Sequence, residues 1–322
     1  MKILITGAGG WLGSELTERL LLEGNHIRAF VLFSSVKLKI LKEKYNDLLE
    51  IIEGDICNTY DIDRSLEDIE VVYHLAAKVH SLPQNKCDEK EFFKINTEGA
   101  RNIFELCIKH NVKRVIFYSS VSVYGESKDV IDISSYKNPV TAYAKSKLMA
   151  ENLGINLYKE KGLPITIIEP VTVYGGDDIG NFEKLNGLVN KGIVPRFGDG
   201  KNKKTIIYYK DLINITIEIA NDESTIGDII ICGSEVITYN DILDILIKNS
   251  KKKIIILKFS DSITNLIIKV CEYIGISTIK KISNQIKVLK SNNEYILLDS
   301  SKYLKNFIQF KDYYGERWLI WN

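Results

Sequence analysis

Lys2-Ile-Leu-Ile-Thr6, followed without a break by Gly7-Ala-Gly-Gly10-Trp11-Leu12-Gly13, opens the chain and sets its architecture. An apolar, β-branched run ends in a glycine turn, and an amphipathic pattern from about Trp11 to Glu23 starts inside that turn. Glycines at this spacing permit a tight turn and let backbone approach a pyrophosphate. The charge of that group is favoured at the N-terminus of the helix that follows. The order strand, glycine turn, helix therefore predicts a dinucleotide site with Gly7, Gly10, Trp11, Leu12 and Gly13 as cofactor contacts.

The same alternation continues. Gly24-Asn25 ends the first helical pattern, and strands are expected at His26–Phe33, Leu49–Glu53, Val71–Leu75, Arg114–Tyr118 and Ile165–Ile168. Helical patterns lie between them at Asp61–Leu66, Lys94–Lys109 and Thr141–Lys161. Strands alternating with helices imply an α/β fold, a Rossmann-type, doubly wound parallel sheet whose ligands sit at the carboxyl ends of the strands. After about Gly175 the pattern loosens into a helix at Phe182–Lys191, a strand at Thr205–Tyr209, a helix at Asp211–Ala220 and an aromatic tail ending near Trp321. Residues 1–175 are read as the dinucleotide-binding domain, with some later segments returning to it, and 176–322 mainly as a smaller substrate-binding lobe.

Composition narrows the partners. The 322 residues carry 43 basic and 42 acidic side chains, so the net charge of +1 gives no reason to expect nucleic acid or an anionic membrane. The runs Lys201–Lys204 and Lys251–Lys253 are short and read as solvated loops. Five scattered cysteines without a CxxC pair, and four histidines without ligand spacing, argue against disulfides and metal and for a reducing cytoplasm. The apolar stretch Ile263–Ile279 contains Lys269 and Glu272 and is too short to span a membrane. It reads as a helix packed on the substrate side. The N-terminus reads as a buried strand and not as a signal peptide.

Chemistry is concentrated in two later stretches. Tyr143-Ala-Lys-Ser-Lys147 places a phenol and an ammonium one helical turn apart, where the ammonium is expected to lower the phenol pKa from its usual value of about 10. Such a phenol exchanges a proton while a hydride moves at the same carbon. Tyr118-Ser-Ser120-Val-Ser122 ends the fifth strand, where Ser120 is expected to orient the substrate oxygen toward Tyr143. On the cofactor side, Asp55 and Ile56 end the third strand, and Leu75, Ala76 and Ala77 follow the fourth, where small side chains let backbone pass close to the cofactor. The end of the second strand carries neither an acid for the ribose hydroxyls nor an arginine for a 2′-phosphate. Ser34, Ser35 and Lys37 are there instead as phosphate receivers, so the cofactor is read as NAD or NADP, tilting to NADP.

Together these pieces resemble an extended short-chain dehydrogenase/reductase of the NAD-dependent epimerase/dehydratase family, which acts on nucleotide sugars. The resemblance covers essentially the whole chain. It implies that Ser120, Tyr143 and Lys147 form the catalytic triad, with Lys147 on the nicotinamide ribose. It also implies that Pro170 and Val171 pass beside that ribose and that Asn96 shapes the site. Asn181 and Lys204 fall where the family contacts the nucleotide diphosphate, Lys204 replacing a usual arginine. Ser120 and Ser122 are expected to face the sugar, as are Lys78 and His80 just past the fourth strand. Two departures matter. Val121 and Ser122 replace the Asp-Glu pair of 4,6-dehydratases, so dehydration lacks its acid and base. Glu169-Pro-Val-Thr172 replaces Arg-Pro-x-Asn. The expected activity is reduction at C4 of a 4-keto-6-deoxy nucleotide sugar, with a UDP-hexose 4-epimerase using tightly bound NAD as the alternative. A non-catalytic dinucleotide sensor is the remote one. By resemblance, a homodimer forms through the helices at Lys94–Lys109 and Thr141–Lys161.

Overall fold

A run such as Ile3-Leu4-Ile5 needs apolar cover on both faces of its strand, and all three side chains are fully buried in the computed structural model of the chain. The structure describes residues 1–79, 86–127, 129–177, 180–250, 252–274, 277–297, 301–304 and 306–320. In chain order the first elements are β1 (Lys2–Thr6), α1 (Trp11–Leu22), β2 (His26–Val31), α2 (Val36–Lys44), β3 (Leu49–Glu53), α3 (Thr59–Ser65) and β4 (Val71–His74). Then come α4 (Lys86–Phe93), a π turn (Lys94–Glu98), α5 (Gly99–Lys109), β5 (Arg114–Tyr118), α6 (Ala142–Lys161) and β6 (Ile165–Pro170). Beyond them follow β7 (Thr172–Tyr174), α7 (Asn181–Lys191), β8 (Ile193–Phe197), β9 (Lys203–Tyr208), α8 (Tyr209–Asn221) and β10 (Ile229–Cys232).

Seven strands form one parallel sheet in the order β10-β6-β5-β4-β1-β2-β3. The order reverses between β1 and β4, the switch point where doubly wound sheets bind ligands. One face is covered by α1 and α8 through Leu16, Leu20, Leu212 and Ile215. The other is covered by α3, α5 and α6 through Ile62, Ile103, Phe104, Ala150 and Leu157. Both α8 and β10 lie after residue 175, so late segments complete the early sheet.

Strands β1, β3 and β5 have the bounds expected from the sequence. β2 stops two residues early: Val31 accepts a last sheet bond from Gly54 N, and Leu32 and Phe33 turn outward into solvent. Ser35 then caps α2, a helix that the sequence reading did not include, by accepting from Leu38 N at 3.3 Å. Thr141 caps α6 in the same way through Ala144 N at 3.1 Å, and Gly162 ends it at φ +70°.

The remaining elements are β11 (Glu235–Thr238), α9 (Tyr239–Lys248), β12 (Ile255–Phe259), α10 (Asp261–Ile274), α11 (Ser277–Lys290) and α12 (Phe310–Ile320). They make a three-stranded sheet, β11-β9-β7, and a two-stranded one, β12-β8. Tyr174, Phe182, Ile242, Leu246 and Phe310 form their core, with the Tyr174 and Phe310 rings 5.1 Å apart. The stretch expected to pack on the substrate side behaves differently. α10 lies along α11 and leaves Ile263, Leu266, Val270 and Tyr273 exposed. No helix among the described residues is long and apolar enough to cross a membrane.

His74 is fully buried between Phe104 and Phe117, bonded at Nδ1 to Thr6 Oγ1 at 2.6 Å. Burial pulls its pKa down from 6.5 to about 3, with the Lys147 charge adding to the effect. A depressed folded pKa means that the stability it contributes is complete above pH 6.5 and is lost as pH falls toward 3. Between pH 8 and pH 5 this group removes about 2 kcal/mol of unfolding free energy. Urea unfolding of the wild type and of His74→Asn at both pH values checks this, and the variant is expected to lack that part of the pH dependence.

Candidate active site

The turn after β1 is built for close approach. Gly7 sits at φ +73°, and a Cβ on it would lie 2.6 Å from Ala76 N; one on Gly13 would lie 2.2 Å from Gly7 O. Backbone from the end of β4 therefore presses on the turn, and Leu75 N donates to Thr6 O at 3.1 Å. Gly10 is the extended N-cap of α1, so Trp11 and Leu12 begin the helix with their N–H groups facing out of its positive end. Trp11 packs 5.8 Å from the Tyr209 ring, and its Nε1 is buried with no hydrogen-bond partner among the described residues. Ser34 Oγ at the end of β2 is buried and unpartnered in the same sense. A backbone cradle at a helix N-terminus, with unsatisfied donors at its rim, fits a dinucleotide.

The other side chains expected there are partly committed. Ser35 caps α2, and the Lys37 ammonium is paired with Glu15 and lies 3.6 Å from Glu18. Neither is left to receive a 2′-phosphate, which weakens the basis for NADP. Asp55 closes its own turn by accepting from Cys57 N at 2.9 Å, while Ile56 is buried against Gly99. Val171 is buried and donates its N–H to Cys232 O at 3.0 Å, placing Pro170 beside the sheet edge.

At the end of β5 the structure places Ser120 near enough to the Tyr143 phenol to shift its ionisation. Burial pushes the Tyr143 phenol up to about 12; the nearby Ser120 works against that, and the Glu151 charge adds to it. Lys147 is 2% exposed, donates to Tyr118 O at 2.7 Å and lies 4.8 Å from the centre of the Phe117 ring. Burial lowers its pKa to about 7. The expectation that Lys147 lowers the phenol pKa is thus not met in the chain alone: its ammonium is spent on a backbone carbonyl and costly to keep charged. Ser122 sits in a 3₁₀ turn capped by Ser120, with its Oγ buried and unpartnered among the described residues.

Asn96 works as a strut. The π turn points its amide inward, where Nδ2 donates to Ser146 Oγ at 2.9 Å and to Lys78 O at 3.1 Å. Its Oδ1 accepts from Lys78 N at 2.7 Å, so one side chain ties the chain just past β4 to α6. The Lys78 ammonium turns back to Glu91 and lies 5.5 Å from the Phe92 ring centre, away from the role expected for it. His80 lies outside the described residues. In the lobe, Thr172, Phe182, Leu185, Lys204 and Tyr239 line a cleft, and Asn181, whose side chain is not among those described, begins α7 beside it. Lys204 is 7% exposed and bonds Val288 O and Ser291 O, each at 2.6 Å, and Ser291 Oγ at 2.9 Å. It closes the end of α11, and burial lowers its pKa to about 8.

Sequence reasoning missed Lys137 and Glu151. Lys137 Nζ lies 2.5 Å from Glu151 Oε2 and 2.6 Å from Glu169 Oε1, with both carboxylates buried and Ser119 Oγ bonded to the other Glu151 oxygen. Burial and the Glu151 charge raise the Glu169 pKa, against the pull of Lys137. Glu169 Oε2 and Tyr124 Oη have no well-formed hydrogen bond among the described residues, although each is near enough to shift the other's ionisation. The only sequence signal was Glu151, four residues beyond Lys147 on the same helical face; a lysine in a polar loop carries none. Among the described residues no cluster could hold a metal.

A sequence model of the NAD dependent epimerase/dehydratase family matches residues 3–233. The UDP-glucose 4-epimerase of Vibrio cholerae is 31% identical over 221 residues, 67% of this chain and 65% of that protein, so the match spans just under two-thirds of that relative. An uncharacterised UDP-glucose epimerase of Bacillus subtilis is 29% identical over 278 residues, 82% of this chain and 86% of the relative. Among solved structures, the UDP-glucuronic acid 4-epimerase of Bacillus cereus in complex with NAD is similar over 100% of both chains, at 25% identity and a TM-score of 0.79.

Removing one partner from a buried charge cluster costs far more than the cluster contributes, because the remaining charges stay buried. Lys137→Met is expected to lower the unfolding free energy by about 3–5 kcal/mol. Adding Glu169→Gln to that variant is expected to return part of the loss, read by urea unfolding at neutral pH.

Proposed function

Because this chain belongs to the NAD-dependent epimerase/dehydratase family, we propose that it interconverts the C4 epimers of a UDP-hexose while keeping its NAD bound. The observation that carries this reading is α6 anchored at the carboxyl end of β5 by Lys147, which donates to Tyr118 O and sets Tyr143 near Ser120, with no acidic pair at Val121 and Ser122. Gly7, Gly10 and Gly13 would hold the pyrophosphate against α1, and Pro170 and Val171 would flank the ribose. NAD, when bound, supplies the acceptor that takes hydride from C4 and gives it back.

The chain's own groups handle the proton. Ser120 Oγ holds the sugar O4, and Tyr143 Oη removes its proton as C4 is oxidised, then returns it when C4 is reduced. Lys147 lies one turn away in a pocket that lowers its pKa to about 7. With a ribose hydroxyl in reach it exchanges the Tyr118 carbonyl for a contact that brings its charge to bear on the phenol. Asn96, which ties Lys78 beyond β4 to Ser146 of α6, keeps the two halves of the site in register. A homodimer through α5 and α6 belongs to the same reading.

The 4-keto reductase is the second reading, favoured by Thr172 in place of the family's asparagine. Its NADP basis is weakened by the commitments of Ser35 and Lys37. Both retain Tyr143 and Lys147, which a non-catalytic sensor has no need to keep. Purified protein incubated with UDP-glucose and UDP-N-acetylglucosamine is expected to form the C4 epimer with no net change in nicotinamide absorbance. Tyr143→Phe is expected to lower kcat by about 10²–10⁴. Stoichiometric loss of added NADPH with a UDP-4-keto-6-deoxy sugar, and no epimer formed, would overturn the epimerase reading in favour of the reductase.

A further inference from the structure

The near-zero net charge of the chain conceals an uneven distribution. Positions 251–290 hold nine lysines and two acids, so the rest of the chain is acidic on balance. Both acids are already paired, Asp261 with Lys290 at 2.7 Å and Glu272 with Lys287 at 2.5 Å. Lys252, Lys253, Lys258 and Lys269 are exposed, with no acidic partner among the described residues.

The same stretch exposes its apolar side chains. Along α10, Ile263, Leu266, Val270 and Tyr273 recur every three or four residues and are 51%, 62%, 47% and 93% exposed. That spacing is one helical stripe. Thr264, on the opposite side, is fully buried. Just upstream, Ile255 and Leu257 of β12 are 57% and 44% exposed. An apolar helical stripe with Lys269 on the same helix, in a segment rich in unpaired lysines, matches the composition of helices that lie in a membrane interface, with apolar side chains in the acyl boundary and ammonium groups among the lipid phosphates. A purely protein-binding face has no need of so large an excess of one charge, since lysine is depleted from interface cores.

We propose that α10, with β12 and their lysines, docks the protein on an anionic lipid surface. The expectation of no membrane partner came from the total charge, which averages this basic patch against an acidic remainder. The helix lies on the bilayer and does not span it, in keeping with its 14 residues.

Flotation of the full-length protein with vesicles tests this. Phosphatidylcholine vesicles containing phosphatidylglycerol are expected to carry the protein, and phosphatidylcholine alone to carry at least about tenfold less. Two variants separate the contributions: Leu266→Gln/Val270→Gln/Tyr273→Gln for the stripe, and Lys252→Gln/Lys258→Gln/Lys269→Gln for the charge. All six positions are exposed and outside the catalytic machinery, so circular dichroism and activity on a soluble nucleotide sugar should match the wild type while vesicle binding is lost in each. Failure of the wild type to float with anionic vesicles would overturn the proposal, as would binding that neither variant reduces. So would a wild-type oligomer in light scattering that the stripe variant splits without vesicle binding ever being seen, since the face would then join copies of this chain.

Discussion

Gly7 has room for a hydrogen atom and nothing larger. The carboxyl ends of β1 and β4 separate at this point, and the backbone of Ala76 comes so close that any side chain on Gly7 would collide with it. Gly13, one helical turn into α1, has the same constraint against the Gly7 carbonyl. These contacts fix where α1 begins and how it is aimed, and so where an anion meets its N-terminus. They also fix the distance from that anion site to the ends of β4 and β5, on which Asn96, Ser120 and Tyr143 are hung. Loss of the fit at Gly7 would displace the binding and reacting halves of the site together.

The buried cluster beneath Ser119 and Ser120 shows a different kind of constraint. Glu151 of α6 and Glu169 of β6 would repel each other in a region without water, and Lys137 satisfies both. It reaches them from the loop between Gly125 and the N-cap of α6. That loop is thereby tied to the helix carrying Tyr143 and Lys147 and to the strand that leads into Pro170 and Val171. Glu169, a departure from the family pattern without evident purpose in the sequence, is half of the socket for this lysine.

What was legible in the sequence follows from how local each signal is. Strands β1 and β5 are largely apolar runs and β3 an apolar core at Leu49, Ile51 and Ile52, each bounded by turns, and Thr141 and Gly162 mark the ends of α6 by chemistry internal to the segment. The placement of Ser120 just past a strand end and of Tyr143 and Lys147 one turn apart on α6 was readable because strand ends and helix faces are set by local pattern. The end of β2 misled because Phe33 continues an apolar run that geometry cuts at Val31, where the chain leaves the sheet to cap α2. Lys204 and Lys37 illustrate the limit of charge reading: each was given an anion from outside, and each is bound to oxygens of distant parts of the same chain. Lys137 was invisible because nothing near it in sequence announces two carboxylates 14 and 32 residues away.

The sheet's edge strand has an implication for how the molecule comes into being. β10 is made only after β7, α7, β8, β9 and α8, yet it pairs with β6, and α8 covers the face that β5 and β6 present. During synthesis the first six strands therefore emerge with an unpaired edge and a bare apolar face until about residue 232 has left the ribosome. By then β7, α7, β8 and β9 have also been made, while β11, β12 and helices α9 to α12, which complete the two smaller sheets and their core, are still to come. The large sheet is thus closed by a strand that first has to pass through the beginnings of the second lobe.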